Sequence, residues 1–141
     1  QRRRDRVVSL ARRHLGGDLR GRRVTFLGAA FKPDSDDVRD SPALDVARRL
    51  QEAGALVTVC DPRALPVVRC QHPGLRTEED PAAAMSGAEA VLLLTEWDEF
   101  TGLDPHEAAT WVSRPVMIDG RNALDPEQWR EAGWTYAGLG R

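Results

Sequence analysis

Several residue types and patterns that mark other protein classes are scarce or missing in this sequence of 141 residues. It has two cysteines, Cys60 and Cys70, no CxxC pair and no paired histidines, which excludes the usual zinc and redox motifs. Two free thiols are typical of a reducing cytosol, so we expect a cytoplasmic protein. No apolar run approaches the roughly 18 residues that span a bilayer, so we expect no membrane segment.

The beginning of the sequence also lacks familiar features. It starts with Gln rather than Met and opens with no signal-peptide pattern. Its length suits one domain, or one domain with an appendage. We therefore expect the chain to be a piece of a longer protein.

Lysine is nearly absent, because only Lys32 among the twenty basic side chains is a lysine and the rest are arginines. Residues 1–23 contain nine arginines against two acidic residues. A basic arm can bind nucleic acid, but no aromatic residues alternate with these arginines, and we expect no nucleic-acid partner. Apolar residues at helical spacing instead predict a helix over 2–15, whose arginine face is solvated or meets an acidic partner. These apolar residues are Val7, Leu10, Ala11 and Leu15.

Strand-like and helix-like segments alternate along the rest of the chain. Short apolar runs predict strands over residues 24–28, 55–60, 89–95, 115–120 and 134–137. Caps followed by proline predict helices that begin near Ser41, Asp80, Asp104 and Asp125. This alternation predicts an α/β fold with a Rossmann-like, doubly wound, mainly parallel sheet flanked by helices and preceded by the N-terminal helix.

Ligands of such sheets bind beyond the carboxyl ends of the strands. Three polar clusters fall there, at residues 31–41, 96–100 and 119–122. The first connection contains only Gly28 and therefore lacks the GxGxxG fingerprint of dinucleotide binding. Asp61, at the end of the second strand, is either a ribose-binding acid or a cap, and the proline after it favours the cap.

Cationic side chains in these clusters can converge on an anionic ligand such as a phosphate. Lys32 offers a compact charge, and Arg39 and Arg121 can each clamp two oxygens. The alternatives are a salt bridge to neighbouring acids for Arg39 and a solvated turn position for Arg121. The sequence contains no complete catalytic constellation, so we expect the chain to hold one part of a larger site.

The stretch from Val24 to Pro62 resembles the C-terminal domain of the UDP-glucose/GDP-mannose dehydrogenase family. The family pattern is roughly G-x-x-F-K-x-x-T-x-D-x-R-x-S-P, and here Ser35 stands at the usual threonine. The pattern is met at Gly28, Phe31, Lys32, Asp37, Arg39, Ser41 and Pro42. The stretches LLLTEWDEF and VMIDGRN are also similar to the family, so the resemblance covers nearly the whole chain.

The resemblance implies roles that the residue pattern alone does not assign. Phe31, Lys32 and Arg121 match positions that contact the UDP-sugar, and Arg39 matches one that reaches NAD on another Rossmann domain. No catalytic residue and no metal ligand is transferred, because neither cysteine has the glycine-rich context of the family's nucleophile. Residues 1–17 are expected to end the helix that joins the domains and forms a homodimer. Residues 18–23 are expected to be a linker, and residues 24–141 the nucleotide-sugar-binding domain.

The resemblance also implies an activity. The members most similar to this chain oxidise the C6 alcohol of UDP-glucose, giving UDP-glucuronate, in two NAD-dependent steps through a cysteine thiohemiacetal. The family's NAD domain and nucleophilic cysteine lie outside this sequence, so we expect this chain alone to be inactive. Two alternatives stay open: the same family acting on GDP-mannose or a UDP-N-acetylhexosamine, and a standalone binding module.

Overall fold

The computed structural model describes residues 2–30, 38 and 41–140, and a six-stranded sheet lies at its centre. The strands are β1 Arg23–Leu27, β2 Leu56–Cys60, β3 Arg76–Glu78, β4 Ala90–Leu93, β5 Val116–Asp119 and β6 Thr135–Gly138. The helices are α1 Arg2–His14, α2 Pro42–Glu52, α3 Leu65–Gln71, α4 Pro81–Met85, α5 Asp98–Thr101, α6 Pro105–Ala108 and α7 Pro126–Glu131.

The strands lie in the order β3-β2-β1-β4-β5-β6, and each neighbouring pair is parallel. β1 is central, because Phe26 pairs with Val59 of β2 on one side and with Leu92 of β4 on the other. The order runs outward from β1 in both directions, so the winding reverses between β1 and β4. The predicted Rossmann-like, doubly wound fold is confirmed, and the described strands are all parallel rather than mainly parallel.

Helices cover both faces of the sheet, each over its own apolar cluster. One face carries α1, α2 and α3, which pack with Val24 and Phe26 of β1. The opposite face carries α4 to α7 and buries Leu27 of the same strand. Trp129 and Trp134 pack edge to face in this second cluster, with ring centroids 4.9 Å apart. Successive residues of β1 thus serve different clusters, as the side-chain period of a strand requires.

The structure contains three short elements that the sequence analysis does not predict, namely β3, α3 and α5. β3 is a three-residue edge strand, Arg-Thr-Glu, with exposed ends, so no apolar run marks it. α3 begins after Ala64, which offers no capping side chain, and α5 has only four residues. Three of the four predicted caps are confirmed, since Ser41, Asp104 and Asp125 accept hydrogen bonds from backbone N–H groups of α2, α6 and α7. Asp80 precedes α4 as predicted, but its side chain makes no capping hydrogen bond.

The predicted N-terminal helix is present as α1 and packs against α2 and β5. Its predicted apolar residues, from Val7 to Leu15, are buried. Two ion pairs join α1 to α2, with Arg4 at 3.4 Å from Asp45 and Asp5 at 2.6 Å from Arg49. Part of the basic arm therefore meets an acidic residue of the same chain. Among the described residues, no helix has the length and apolar character needed to cross a membrane.

Candidate functional site

A cleft of about 260 Å³ opens at the carboxyl end of the sheet, between α1, the start of α2 and the turns after β4 and β5. Its lining combines three arginines with apolar surface. The lining residues are Arg3, Arg4, Val7, Pro42, Val46, Leu94, Gly120 and Arg121. Open parallel sheets bind ligands at this edge, and guanidinium groups suit an anionic ligand.

The turn after β1 packs closely against the segment that follows β4. Gly28 has a φ of +110°, and a Cβ atom there would lie only 2.7 Å from the backbone nitrogen of Thr95. The Thr95 hydroxyl donates to the carbonyl of Ala30 over 2.7 Å. Only glycine therefore fits at position 28, for both its conformation and its space.

Asp61, which follows β2, is buried and uses both carboxylate oxygens. Oδ2 accepts from the backbone N–H groups of Ala29 and Ala30, at 2.8 and 3.2 Å. Oδ1 accepts from those of Arg63 and Ala64, at 2.9 and 2.7 Å. The structure supports the cap role predicted for Asp61 over the ribose-binding role, because backbone N–H groups already occupy both oxygens.

Asp119, the last residue of β5, holds the turn that carries Arg121. Its Oδ1 accepts from the backbone N–H of Arg121 at 3.0 Å. Its Oδ2 accepts from the backbone N–H of Leu124 at 2.8 Å and from the Tyr136 hydroxyl at 2.7 Å. The backbone at Arg121 is thus tied to both its own turn and β6.

The Arg121 side chain is about one-third exposed and pairs with Glu96, which follows β4. Nε and Nη2 of Arg121 donate to Oε2 of Glu96, at 3.3 and 3.1 Å. A guanidinium has five N–H donors, so this pair orients Arg121 and leaves donors for a ligand. Oε1 of Glu96 is buried and, within the described part of the chain, has no hydrogen-bond partner.

The structure tests only part of the predicted site. Arg121 lies in the cleft, paired with Glu96 rather than as a solvated turn residue. The remaining predicted residues lie outside the described part of the chain, and they are Phe31, Lys32 and Arg39. The described residues on either side of that segment meet, because the Ser41 hydroxyl donates to the carbonyl of Ala29.

The cleft also contains Arg3 and Arg4, which the sequence pattern does not assign to a site. Both precede Val7 on α1, by four and three residues. Residues at these spacings share one helix face, and Val7 is a predicted core residue. That spacing was the available signal that these two arginines lie beside the core rather than on the far face of the helix.

The two cysteines of the chain lie in different surroundings. Cys60 is buried. The pKa of its thiol is raised to about 12, mainly because of this burial and to a smaller extent because of the charges of nearby acids such as Asp61. Cys70 is free and exposed. Nowhere in the described ranges do three or more His, Cys, Asp or Glu side chains form a group that could hold a metal ion.

Comparison with known proteins assigns the family. Residues 25–126 match the model of the UDP-glucose/GDP-mannose dehydrogenase family, UDP binding domain. The chain belongs to this family. The match spans β1 to the start of α7 and so includes the turns after β1, β4 and β5 that build the cleft.

Individual relatives of this UDP binding domain agree. It is 40% identical over 126 residues to a UDP-glucose 6-dehydrogenase of Rhizobium meliloti, covering 89% of this chain and 29% of that protein. A solved UDP-glucose dehydrogenase from Pyrobaculum islandicum is 39% identical with a TM-score of 0.81, over 96% of this chain and 29% of that one. A solved NDP-N-acetyl-D-galactosaminuronic acid dehydrogenase from Methanosarcina mazei is 30% identical with a TM-score of 0.82. That match covers 98% of this chain and 28% of the other. The chain thus spans less than a third of the length of these relatives.

Proposed function

We propose that this chain is the C-terminal UDP-sugar-binding domain of a UDP-glucose 6-dehydrogenase, an NAD-dependent enzyme that oxidises UDP-glucose to UDP-glucuronate. The arginine-lined cleft, at the carboxyl edge of a sheet that matches a UDP binding domain, carries the proposal. Guanidinium groups bind phosphate oxygens through paired, charge-assisted hydrogen bonds. The 40% identity to the Rhizobium meliloti UDP-glucose 6-dehydrogenase favours UDP-glucose as the sugar.

Within this proposal, Phe31, Lys32 and Arg121 contact the UDP-sugar. Arg121 has the position and free donors for that role, and Glu96 orients its guanidinium. Support for the other two comes from the family pattern and from the fixed position of the residues just before them, since Ala30 is held by Asp61 and Thr95.

Within the same proposal, the turn after β1 of this domain is not the NAD site. A dinucleotide site of the Rossmann type needs a glycine-rich turn with free backbone N–H groups. Ala29 and Ala30 instead donate theirs to Asp61. NAD supplies hydride acceptance in such an enzyme, and we assign its binding mainly to the enzyme's N-terminal domain, with Arg39 as this chain's contribution.

The same proposal divides the chain and names its partners. Residues 1–17 end the helix that joins the domains, residues 18–23 form a linker, and residues 24–141 form the UDP-sugar-binding domain. The partners are the N-terminal and central domains of the same enzyme and a second copy in a homodimer. The coverage of only 29% of the Rhizobium meliloti relative supports a larger protein. The two free cysteines support a cytoplasmic location.

The test is to assay the complete gene product and this chain alone for NAD reduction with UDP-glucose. We expect the complete protein to reduce two NAD for each UDP-glucose consumed, because an alcohol becomes a carboxylate in two oxidations. We expect this chain alone to reduce none. Reduction by the chain alone would contradict its assignment as part of a larger site, and no reduction by the complete protein would contradict the enzyme assignment.

A second substrate is favoured by a specific observation. The Methanosarcina mazei structure, which resembles this chain with a TM-score of 0.82, is named for an N-acetylated hexuronic acid. Measuring kcat/KM with UDP-glucose, GDP-mannose and UDP-N-acetylhexosamines decides between these sugars. A higher kcat/KM with GDP-mannose or with a UDP-N-acetylhexosamine than with UDP-glucose would reassign the substrate. Binding of UDP-sugars without oxidation of any of them would instead indicate a binding module.

A further inference from the structure

The turn after β1 differs from a dinucleotide-binding turn in one decisive respect. In Rossmann-type sheets the backbone N–H groups after the first strand bind phosphate oxygens. Here the corresponding N–H groups, those of Ala29 and Ala30, donate to Oδ2 of Asp61 at 2.8 and 3.2 Å. A carboxylate of the protein itself therefore occupies the place of a phosphate.

Both oxygens of Asp61 are built into this part of the structure. The residue is 1% exposed, and its second oxygen accepts from the N–H groups of Arg63 and Ala64. These four N–H donors match the roughly four lone-pair positions that two carboxylate oxygens offer. A phosphate approaching Ala29 and Ala30 would therefore meet N–H groups that are already bound to Asp61.

The carbonyl groups of the same two residues are also bound. The Ser41 hydroxyl donates to Ala29, and the Thr95 hydroxyl donates to Ala30 over 2.7 Å. Ser41 and Thr95 are both buried. All four backbone polar groups of Ala29 and Ala30 are thus held by three side chains, which come from the ends of β2 and β4 and the start of α2.

We infer that Asp61, together with Thr95, is a positioning residue for the substrate-contacting segment that begins at Phe31, and that the same carboxylate closes this turn to the phosphates of a dinucleotide. The positioning part rests on the proposed function, because it takes Lys32 as a substrate contact. The closing part depends only on the hydrogen bonds of Asp61.

The first test uses amide hydrogen exchange and NMR on this chain without substrate. We expect slow exchange at the amides of Ala29 and Ala30, and no shift of either peak on addition of NAD or inorganic pyrophosphate. Asp61→Asn keeps the size of the side chain but replaces one acceptor oxygen by a donor, so at least one of the two amides should exchange faster. Free exchange in the wild-type chain, or a shift of these two amides with either probe, would overturn the closing part.

The second test uses a matched pair of threonines in the complete enzyme. Thr95 and Thr25 are both buried and each donates its hydroxyl to a backbone carbonyl, of Ala30 at 2.7 Å and of Ala84 at 2.6 Å. Replacing either by valine strands one buried carbonyl, so both variants should lose similar stability. Only Thr95→Val should raise the KM for UDP-glucose, by about tenfold, with kcat within about threefold of wild type.

The outcomes separate this inference from the proposed function. If the two valine variants have the same KM for UDP-glucose, Thr95 is only structural and the positioning part fails, even if Asp61→Asn does not fold. If the wild-type enzyme does not oxidise any nucleotide sugar, the proposed function fails while the exchange result at Ala29 and Ala30 still decides the closing part.

Discussion

Asp61 and Asp119 are two buried carboxylates at the same edge of one sheet, and they are used differently. Asp61 follows β2 and accepts four backbone N–H groups, two of them from the turn after β1. Asp119 ends β5 and accepts two backbone N–H groups of its own turn and the Tyr136 hydroxyl. Each carboxylate holds a turn that leads to a proposed cationic contact, Lys32 in one case and Arg121 in the other. The comparison shows that one edge of a parallel sheet can place its charges both by local turns and by links between strands.

The largest expected effect is on the free energy of unfolding, and we expect it to be larger for a substitution at Asp61 than for one at Asp119. Asp61→Ala leaves four buried N–H groups without an acceptor, and Asp119→Ala leaves two together with the Tyr136 hydroxyl. Each stranded group costs about 1–3 kcal/mol if it finds no water. We expect Asp61→Ala to lower the free energy of unfolding of this chain by at least about 3 kcal/mol, and by more than Asp119→Ala does. Urea denaturation measures both, and an equal or reversed order would break the comparison.

The next effect concerns Lys32, the lysine that Asp61 is proposed to position. Lys32→Arg keeps the charge but replaces a compact ammonium by a planar fork. In the complete enzyme we expect kcat/KM for UDP-glucose to fall at least about tenfold. The matched control is the reverse exchange at an exposed arginine before β5, Arg114→Lys, which should leave kcat/KM within about twofold. Near-normal turnover by Lys32→Arg would show that this lysine has no special role.

A smaller effect tests the Asp119 side of the comparison between the two carboxylates. Tyr136→Phe removes one of the three donors to Asp119 and leaves the two backbone N–H groups in place. We expect a loss of about 1 kcal/mol in the free energy of unfolding and unchanged affinity for UDP-glucose. A large loss of affinity would mean that Tyr136, rather than the turn itself, positions Arg121.

The smallest effect is a local one at Cys60, which directly precedes Asp61. Burial, followed by the nearby acidic charges, raises the pKa of this thiol to about 12, so little thiolate forms at pH 8. A disulfide reagent at that pH should modify Cys70 at once and Cys60 only on unfolding. Cys70→Ser should abolish the fast reaction. In Asp61→Asn the end of β2 is less restrained, and Cys60 should react faster; fast modification of Cys60 in the wild-type chain would contradict this description of the strand end.

Much of the fold was predictable because its central strands are strongly apolar. β1, β4 and β5 are each short buried runs that end at a glycine or a polar cluster, and Arg121 was correctly placed after one of them. The bonds of Asp61 were only half predictable. The cap on its own turn follows from Asp-Pro, but Ala29 and Ala30 lie 32 and 31 residues earlier and carry no side-chain signal. The ion pair between Arg4 and Asp45 was also not predictable from the sequence, because it depends on how α1 packs on α2.

The most direct test of the UDP-sugar site compares two arginines at opposite ends of β5. Arg121 follows the strand and lines the cleft, whereas Arg114 precedes the strand and lies outside the cleft. Calorimetry measures UDP-glucose binding to the complete protein with Arg121→Ala or Arg114→Ala. We expect Arg121→Ala to weaken binding at least about tenfold, because a charge-assisted hydrogen bond is lost, and Arg114→Ala to change it less than twofold. Equal effects of the two substitutions, or unchanged binding by Arg121→Ala, would contradict a UDP-sugar site at this edge.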